Sequence, residues 1–341
     1  MGSCKIHCSS ESTVNHAMRV KDYIIIVIVF SLLLFATPAI FENFGEARKE
    51  KSGGNQATTV ELDFPKTVTL LLKCEPENEE TLELTIEEYL EGCLFAQIPI
   101  NYHEEALKSQ AVAAHTYFQK LLSDGVEISN DPATSQPFFT EEQARERYGD
   151  EYESHLKKVK KAAEFGAKHV IVYDNAPIYA VYHSLSAGVT NTAYSVWGRD
   201  FPYLRSVEST WDRGHPDFHC VNEMTAESIR LAMFNYNKTA SMPVDYSLWF
   251  ADPIKNEFGY VVSVNAGENL LSGGDVWRIF GLRSTSFDIS FRNAEVFVSE
   301  TRGHGHGVGL SQYGADVLAK RGFLYDEILN HYYTDVTILE L

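Results

Sequence analysis

The sequence predicts an α+β fold in which short strands and amphipathic helices mix without a regular βαβ period. Three observations carry that expectation. Residues 67–72 (TVTLLL) and 82–84 are strand-like runs flanking an acidic turn. From His103 to about Leu122, Leu107, Ala111, Ala114, Phe118 and Leu121 recur at three- and four-residue steps, the buried stripe of a helix. Further strand-like runs at 170–173, 178–183, 258–265, 287–291 and 295–298 are spaced too unevenly for a doubly wound sheet.

Taken in order, residues 85–95 read as a short helix, with Thr85 as N-cap and Glu88 three residues on, as in a capping box. The helix from His103 follows Pro99, and its many alanines let a neighbouring element approach closely. Residues 141–148 and 151–165 form more charged helical pieces parted at Gly149. The runs 170–173 and 178–183 pair around the turn Asp174-Asn175-Ala176, and helical pieces at 315–321 and 325–332 close the chain.

The length of 341 residues allows one large domain or two smaller ones, and 44% hydrophobic content is ample for a core. A net charge of −18 argues against nucleic acid as a partner, because phosphate binding needs a basic surface. Of the five cysteines, Cys4 and Cys8 precede an apolar run at 23–41, while Cys74, Cys93 and Cys220 follow it. An odd number on the far side permits at most one disulfide, and no CxxC spacing suggests structural zinc.

Residues 23–41 carry no charge and are just long enough to cross a bilayer as a helix. Lys5, Arg19 and Lys21 precede the run, which places residues 1–22 in the cytoplasm and the bulk of the chain outside. A cleaved signal peptide is the competing reading, with Thr37-Pro38-Ala39 as a poor cleavage site; the β-branched core and the proline favour an anchor. Residues 42–65 then form a polar linker, and 66–341 an extracytoplasmic domain held at the cell membrane by a single pass.

Residues 302–315 (RGHGHGVGLSQYGA) carry the densest chemical signal. Alternating glycines let the backbone take positive φ and pass close to a ligand or a second segment. His304 and His306 would share a face if the run is extended. Ser311, Gln312 and Tyr313 add hydroxyl and amide groups suited to a polyhydroxylated substrate.

Four segments together resemble the stage II sporulation protein D (SpoIID) family, which includes peptidoglycan lytic transglycosylases and amidase-enhancer relatives. They are residues 84–117 (LTIEEYLEGCLFAQIPINYHEEALKSQAVAAHTY), 180–212 (AVYHSLSAGVTNTAYSVWGRDFPYLRSVESTWD), the GLRSTSFDI element within 277–289, and GHGHGVGLSQYGA. The resemblance implies a substrate cleft and cutting of glycan strands by one carboxyl group. That group protonates the leaving oxygen, then draws a proton from the sugar hydroxyl that closes an anhydro ring. It also implies cell-wall remodelling during forespore engulfment, beside a SpoIIM-like membrane protein and a SpoIIP-like amidase. The family's acid is a glutamate in a Glu-Met-Pro turn, and here the chain reads Ala96-Gln97-Ile98-Pro99. Gln97 cannot transfer a proton at ordinary pH. Three readings follow: a pseudoenzyme that binds glycan without cutting, an inactivating substitution in an otherwise active enzyme, or an acid displaced to Glu91, Glu104, Glu105 or Asp212.

The resemblance further marks Gln110, His183, Ser184, Ser186, Thr190, His304, His306, Ser311, Gln312 and Tyr313 as lining or supporting the cleft. Trp197 and Tyr203 either stack on sugar faces or lie in the core. Arg205 and Asp212 are expected to form an ion pair. Some family members hold zinc in the loop after the long helix, but residues 131–137 offer neither Cys nor His, so no metal and no cofactor is expected. The histidines of the glycine run are expected to serve in hydrogen bonds.

Overall fold

In the computed structural model, residues 64–73, 79–131, 134–293 and 295–341 are described; the apolar run 23–41 and the residues before it lie outside them. Among the described residues no helix is long and apolar enough to cross a membrane. The antiparallel pair β1 (Thr67–Lys73) and β2 (Glu79–Thr85) leads directly into α1 (Ile86–Gln97). Thr85 ends the strand and starts the helix: its side chain accepts from the Glu88 amide while the Glu88 carboxylate accepts from the Thr85 amide. This is the expected capping box, which satisfies two backbone donors that a bare helix end leaves open.

Helix α2 (Glu104–Ser123) is the pillar of the domain. Its stripe Leu107, Ala111, Ala114, Phe118 and Leu121 packs with β1, α1 and the later helices, as the spacing predicts. The opposite side is buried too. Ala106, Val112 and Ala113 join a second core with Ile171, Leu310, Ile328 and Tyr332. Small side chains on both faces allow two layers to close on one helix. After α3 (Glu141–Tyr148), a tight turn at Gly149–Glu151 leads into α4 (Tyr152–Gly166).

Strand β3 (His169–Tyr173) lies between β4 (Ala176–Pro177) and the C-terminal β13 (Thr337–Glu340). Asp174 and Asn175 both take positive φ, the two-residue hairpin turn that residues of this type favour. The run expected as a strand at 178–183 is strand only at β5 (Tyr182–His183), which pairs in parallel with β12 (Leu310–Ser311). Helix α5 (Ala193–Trp197) and a turn at Thr210–Gly214 follow.

Residues 219–302 then build a third core from two small sheets. One orders as β10 (Phe287–Asn293), β11 (Val296–Arg302) and β6 (His219–Thr225). The other orders as β7 (Ala251–Lys255), β8 (Val261–Ala266) and β9 (Asn269–Ser272). Helices α6 (Ala226–Tyr236) and α7 (Gly273–Ile279) pack with them around Trp249, Phe250, Val264, Phe287 and Phe297. Helices α8 (Gln312–Lys320) and α9 (Tyr325–Tyr332) return the chain to the second core.

Candidate functional site

Helix α1 ends at Gln97, where Pro99 two residues on cannot continue the helix. The Gln97 carboxamide is held at both ends. Its Nε2 donates to the Pro137 carbonyl at 2.7 Å, and its Oε1 accepts from the Tyr182 hydroxyl. The Gln97 backbone carbonyl accepts from Gln312 Nε2 at 2.9 Å, and the same nitrogen donates to Gln110 Oε1 at 3.2 Å. One residue from each of α1, α2 and α8 therefore meets at this point. Gln110 Nε2 is buried without a hydrogen-bond partner.

The glycine run closes over β5. Gly303, Gly305, Gly307 and Gly309 all take positive φ. The backbone exchanges hydrogen bonds between Leu185 and His304, and Gly305 donates to the Arg283 carbonyl at 2.7 Å. At Gly309 a Cβ would lie 2.1 Å from the Val181 carbonyl oxygen, so the closeness of the two segments depends on the missing side chain. Left-handed turns at every second residue break the extended repeat, and the two histidines do not share a face. His304 is exposed in one hollow, and His306 lines another.

His183 is buried, with Nδ1 bonded to the Val308 carbonyl at 3.1 Å and Nε2 left without a partner. Donation from Nδ1 makes Nε2 a bare acceptor. Burial, with the neighbouring His306 next, pushes His183 down to about 3. Burial also pushes His306 down to about 4, while partial desolvation of His304 in its hollow, with the Arg283 guanidinium next, holds it below its ordinary value. All three are neutral imidazoles at ordinary pH, a state suited to hydrogen bonding.

Beneath the site, Asp212 is fully buried. Its Oδ2 accepts from the Ser186 amide and the Ser311 hydroxyl, both at 2.8 Å, while Oδ1 has no partner. Burial raises this carboxyl to about 6 against the pull of those donors. The expected ion pair with Arg205 is absent: Arg205 lies 4.0 Å from Asp335 and donates to the Pro202 carbonyl. The reason is burial, since Asp212 is sealed under α8 and the exposed Arg205 does not reach it.

Two hollows, of about 1080 and 830 Å³, meet at Ala96, Gln97, Ser184 and Gln312, forming one groove with Gln97 at its middle. The first arm is walled by Tyr102, Tyr148, His215, Asp217, Arg283 and His304. The second is walled by Tyr182, His183, Trp197, Phe201, Trp277 and His306. Trp197 is 43% exposed, with its ring 5.2 Å from that of His306, whereas Tyr203 is a core residue whose hydroxyl accepts from the Tyr179 amide.

Of the residues marked by the sequence, Gln97, His183, Ser184, His304, His306 and Gln312 line the groove. Gln110, Ser186, Thr190 and Ser311 are buried behind it: Thr190 accepts from the Val207 amide, and Ser311 caps α8. Tyr313 packs its ring against Tyr102 and His215. None of the four displaced-acid candidates lines the groove. Glu91 is half-buried on α1, Glu104 and Glu105 pair with Lys108, and Asp212 lies below. The carboxylates on its walls are Glu151 and Asp217, both exposed. Sequence reasoning passed over Tyr182, His215, Arg283 and Trp277. Tyr182 adjoins His183, Trp277 opens the segment that carries the GLRST element and Arg283 is the arginine of that element, so their one signal is a place inside the motif segments. Among the described residues no group of three or more His, Cys, Asp or Glu gathers as a metal site.

The motifs that converge here match a known family. The family profile described as Stage II sporulation protein (SpoIID) matches residues 76–173. Stage II sporulation protein D of Bacillus subtilis (strain 168) is 31% identical over 271 residues, 77% of each chain. The protein of the same name from Bacillus amyloliquefaciens is 29% identical over 270 residues, 77% of this chain and 76% of its own. The Amidase enhancer of Bacillus subtilis (strain 168) is 26% identical over 302 residues, 73% of this chain and 40% of its own. The chain belongs to the SpoIID family.

Proposed function

We propose that the groove binds a glycan strand of peptidoglycan, and that Gln97 stands where the family's lytic transglycosylation needs its acid. The strand lies along both arms, with neutral imidazoles, hydroxyls and amides meeting sugar hydroxyls and Trp197 offering an aromatic face. The observation that carries this reading is the bracketing of the Gln97 carboxamide. One end faces an acceptor, the Pro137 carbonyl, and the other a donor, the Tyr182 hydroxyl. A carboxyl group satisfies that pair only when protonated, its O–H toward Pro137 and its C=O toward Tyr182. The surroundings thus suit a neutral acid, the form that gives a proton to a leaving glycosidic oxygen. With an amide there, the strand is held and the proton is missing.

By family, the setting is cell-wall remodelling in sporulation, with residues 23–41 anchoring the domain outside the membrane and engulfment proteins beside it. A second reading has the chain as a non-catalytic glycan-binding enhancer or scaffold for a peptidoglycan amidase. The likeness to a protein named Amidase enhancer favours it.

The test incubates the full chain, native and Gln97→Glu, with denuded glycan strands and seeks anhydro-ended products by mass spectrometry. Products from the glutamate form alone support an intact cleft lacking one proton donor. Products from the native chain would place the acid at another residue. Strand binding with amidase stimulation, and no product from either form, supports the second reading.

A further inference from the structure

The two sheets of the third core have four edges, and three of them are blunted. Strand β7 holds Pro253, a positive φ at Asp252 and two breaks in its register with β8. Strand β10 has an irregularity between Phe291 and Asn293, and β9 is only four residues long. Such devices keep an edge from pairing with another chain. Strand β6 has none of them. It runs seven residues without proline or lysine, in unbroken register with β11, and it ends its sheet. One side of its backbone is therefore open.

The neighbouring bonds decide which groups stand on that side. The Gly303 amide donates to the Phe218 carbonyl and the Arg302 amide to the Ser286 carbonyl, both at 2.9 Å. Odd-numbered residues of β11 thus face β6, and their register partners Cys220, Asn222 and Met224 are the ones bonded to them. The amides and carbonyls of His219, Val221 and Glu223 point outward, without a hydrogen bond among the described residues. The Val221 side chain between them is 52% exposed.

We propose that this edge pairs with the same edge of a second copy, β6 against β6, antiparallel about a two-fold axis at Val221. In that register Val221 meets Val221, and His219 meets Glu223 of the second copy on either side. Each pair exchanges both backbone hydrogen bonds, because the outward groups of these residues are the ones that meet. An apolar pair sits on the axis, and an imidazole faces a carboxylate at each flank. Neighbouring registers do worse. An axis at Asn222 sets Val221 against Glu223, and an axis at Glu223 sets carboxylate against carboxylate. This self-complementarity is what a two-fold interface requires, and it points to a second copy over a foreign strand. Within each chain Glu223 pairs with Arg292, and His219 lies 3.5 Å from Glu300, so acidic and basic groups alternate across the junction. His215 and Asp217, which wall the first arm of the groove, stand just before β6. The dimer therefore carries two grooves on one continuous sheet, their Asp217 residues about 26 Å apart by strand geometry, whatever fills them.

The experiment is sedimentation equilibrium of the full chain in density-matched detergent, native and V221P, with thermal melting as the check on folding. Val221 is exposed and its amide is not bonded to β11, so proline there spares the fold while deleting the two hydrogen bonds donated at the axis. The native chain should be a reversible dimer, and V221P should associate at least about tenfold more weakly. Should V221P melt early, V221K takes its place, keeping the backbone and setting like charges on the axis. Register is read by mild oxidation of V221C and E223C, each in a C220S background, with C220S alone as the blank. Opposite residues of a bonded pair have Cα atoms about 5.5 Å apart, within reach of a disulfide. V221C should cross-link into a dimer, and E223C, roughly 13 Å from its counterpart, should not. A native chain that stays monomeric at every concentration overturns the proposal. So does a dimer that persists in both V221P and V221K, which would place association elsewhere, as at residues 23–41. Cross-linking through E223C and not V221C would likewise overturn the axis at Val221.

Discussion

Gln97 differs from a glutamic acid by one group, and its neighbours decide what that difference does. An ionised carboxylate at this place would set an acceptor against the Pro137 carbonyl, so Gln97→Glu should titrate above the ordinary glutamate range. The expected outcome is release of anhydro products roughly 10²–10⁴-fold faster than from the native chain, since that is what general acid–base catalysis supplies. Activity should fall as pH rises through the shifted value, measured as a pH–rate profile of product release. Asp212 makes a second prediction of its own. Its carboxyl titrates near 6 in the fold against 3.8 for the free group. Between those values the folded state holds a proton that the unfolded state has lost. The stability this proton gives is full below pH 3.8 and is lost as pH rises through about 6, on the order of 3 kcal/mol. Asp212→Asn removes that titration. Its melting temperature relative to the native chain should therefore rise between pH 4 and pH 7; an unchanged difference would remove the buried charge from the account. His183 acts in the opposite sense. Its folded value lies below the free one of 6.5, so its contribution is present above that pH and falls away in acid.

The glycine run shows at the level of elements what the sequence could and could not disclose. Gly309 has φ +71°, and an added Cβ would meet the Val181 carbonyl at 2.1 Å, whereas Gly125 has φ +74° with open space around it. Both Gly→Ala changes carry the left-handed penalty of about 1–2 kcal/mol, but only Gly309→Ala must also push β12 off β5. It should cost at least about 2 kcal/mol more than Gly125→Ala in denaturant unfolding, and an equal cost would deny the close approach. The capping box at Thr85, the stripe of α2 and the break at Gly149 were legible because each is a local rule written in neighbouring residues. Strand β6 (HCVNEMT) was not, because most of its side chains are exposed and no apolar alternation marks it. Strand β7 (ADPIK) contains a proline and is mostly exposed, and the ladder supplied by β8 holds it instead. The motifs mark segments that line the groove, but not which of their side chains reach it. Ser186 and Ser311 look like substrate contacts in sequence, yet the Ser186 amide and the Ser311 hydroxyl are both spent on Asp212, 26 and 99 residues away, pairings that no local pattern records.

At the scale of the whole molecule, the groove is assembled from segments far apart in the described chain, from Phe95 to Gln312. The cores built on α2 supply its floor, and residues 215–217 and 277–283 supply walls on both arms. Gln97 lies where the arms meet, so a strand positioned there must extend in both directions, and affinity should depend on how much of each arm it fills. Binding should strengthen as denuded oligosaccharides lengthen and level off once both arms are occupied. Trp197 lines only the second arm. Trp197→Ala should weaken long oligosaccharides by about 1 kcal/mol, roughly fivefold, while leaving the shortest binders that fill the first arm unchanged. The change should not alter thermal stability, because the ring is half-exposed and outside the three cores. Calorimetric titration of an oligosaccharide ladder into both proteins measures this. A loss equal at every length would mean that Trp197 shapes the junction at Gln97 and not the end of the groove, and affinity independent of length would mean that a single arm holds the sugar.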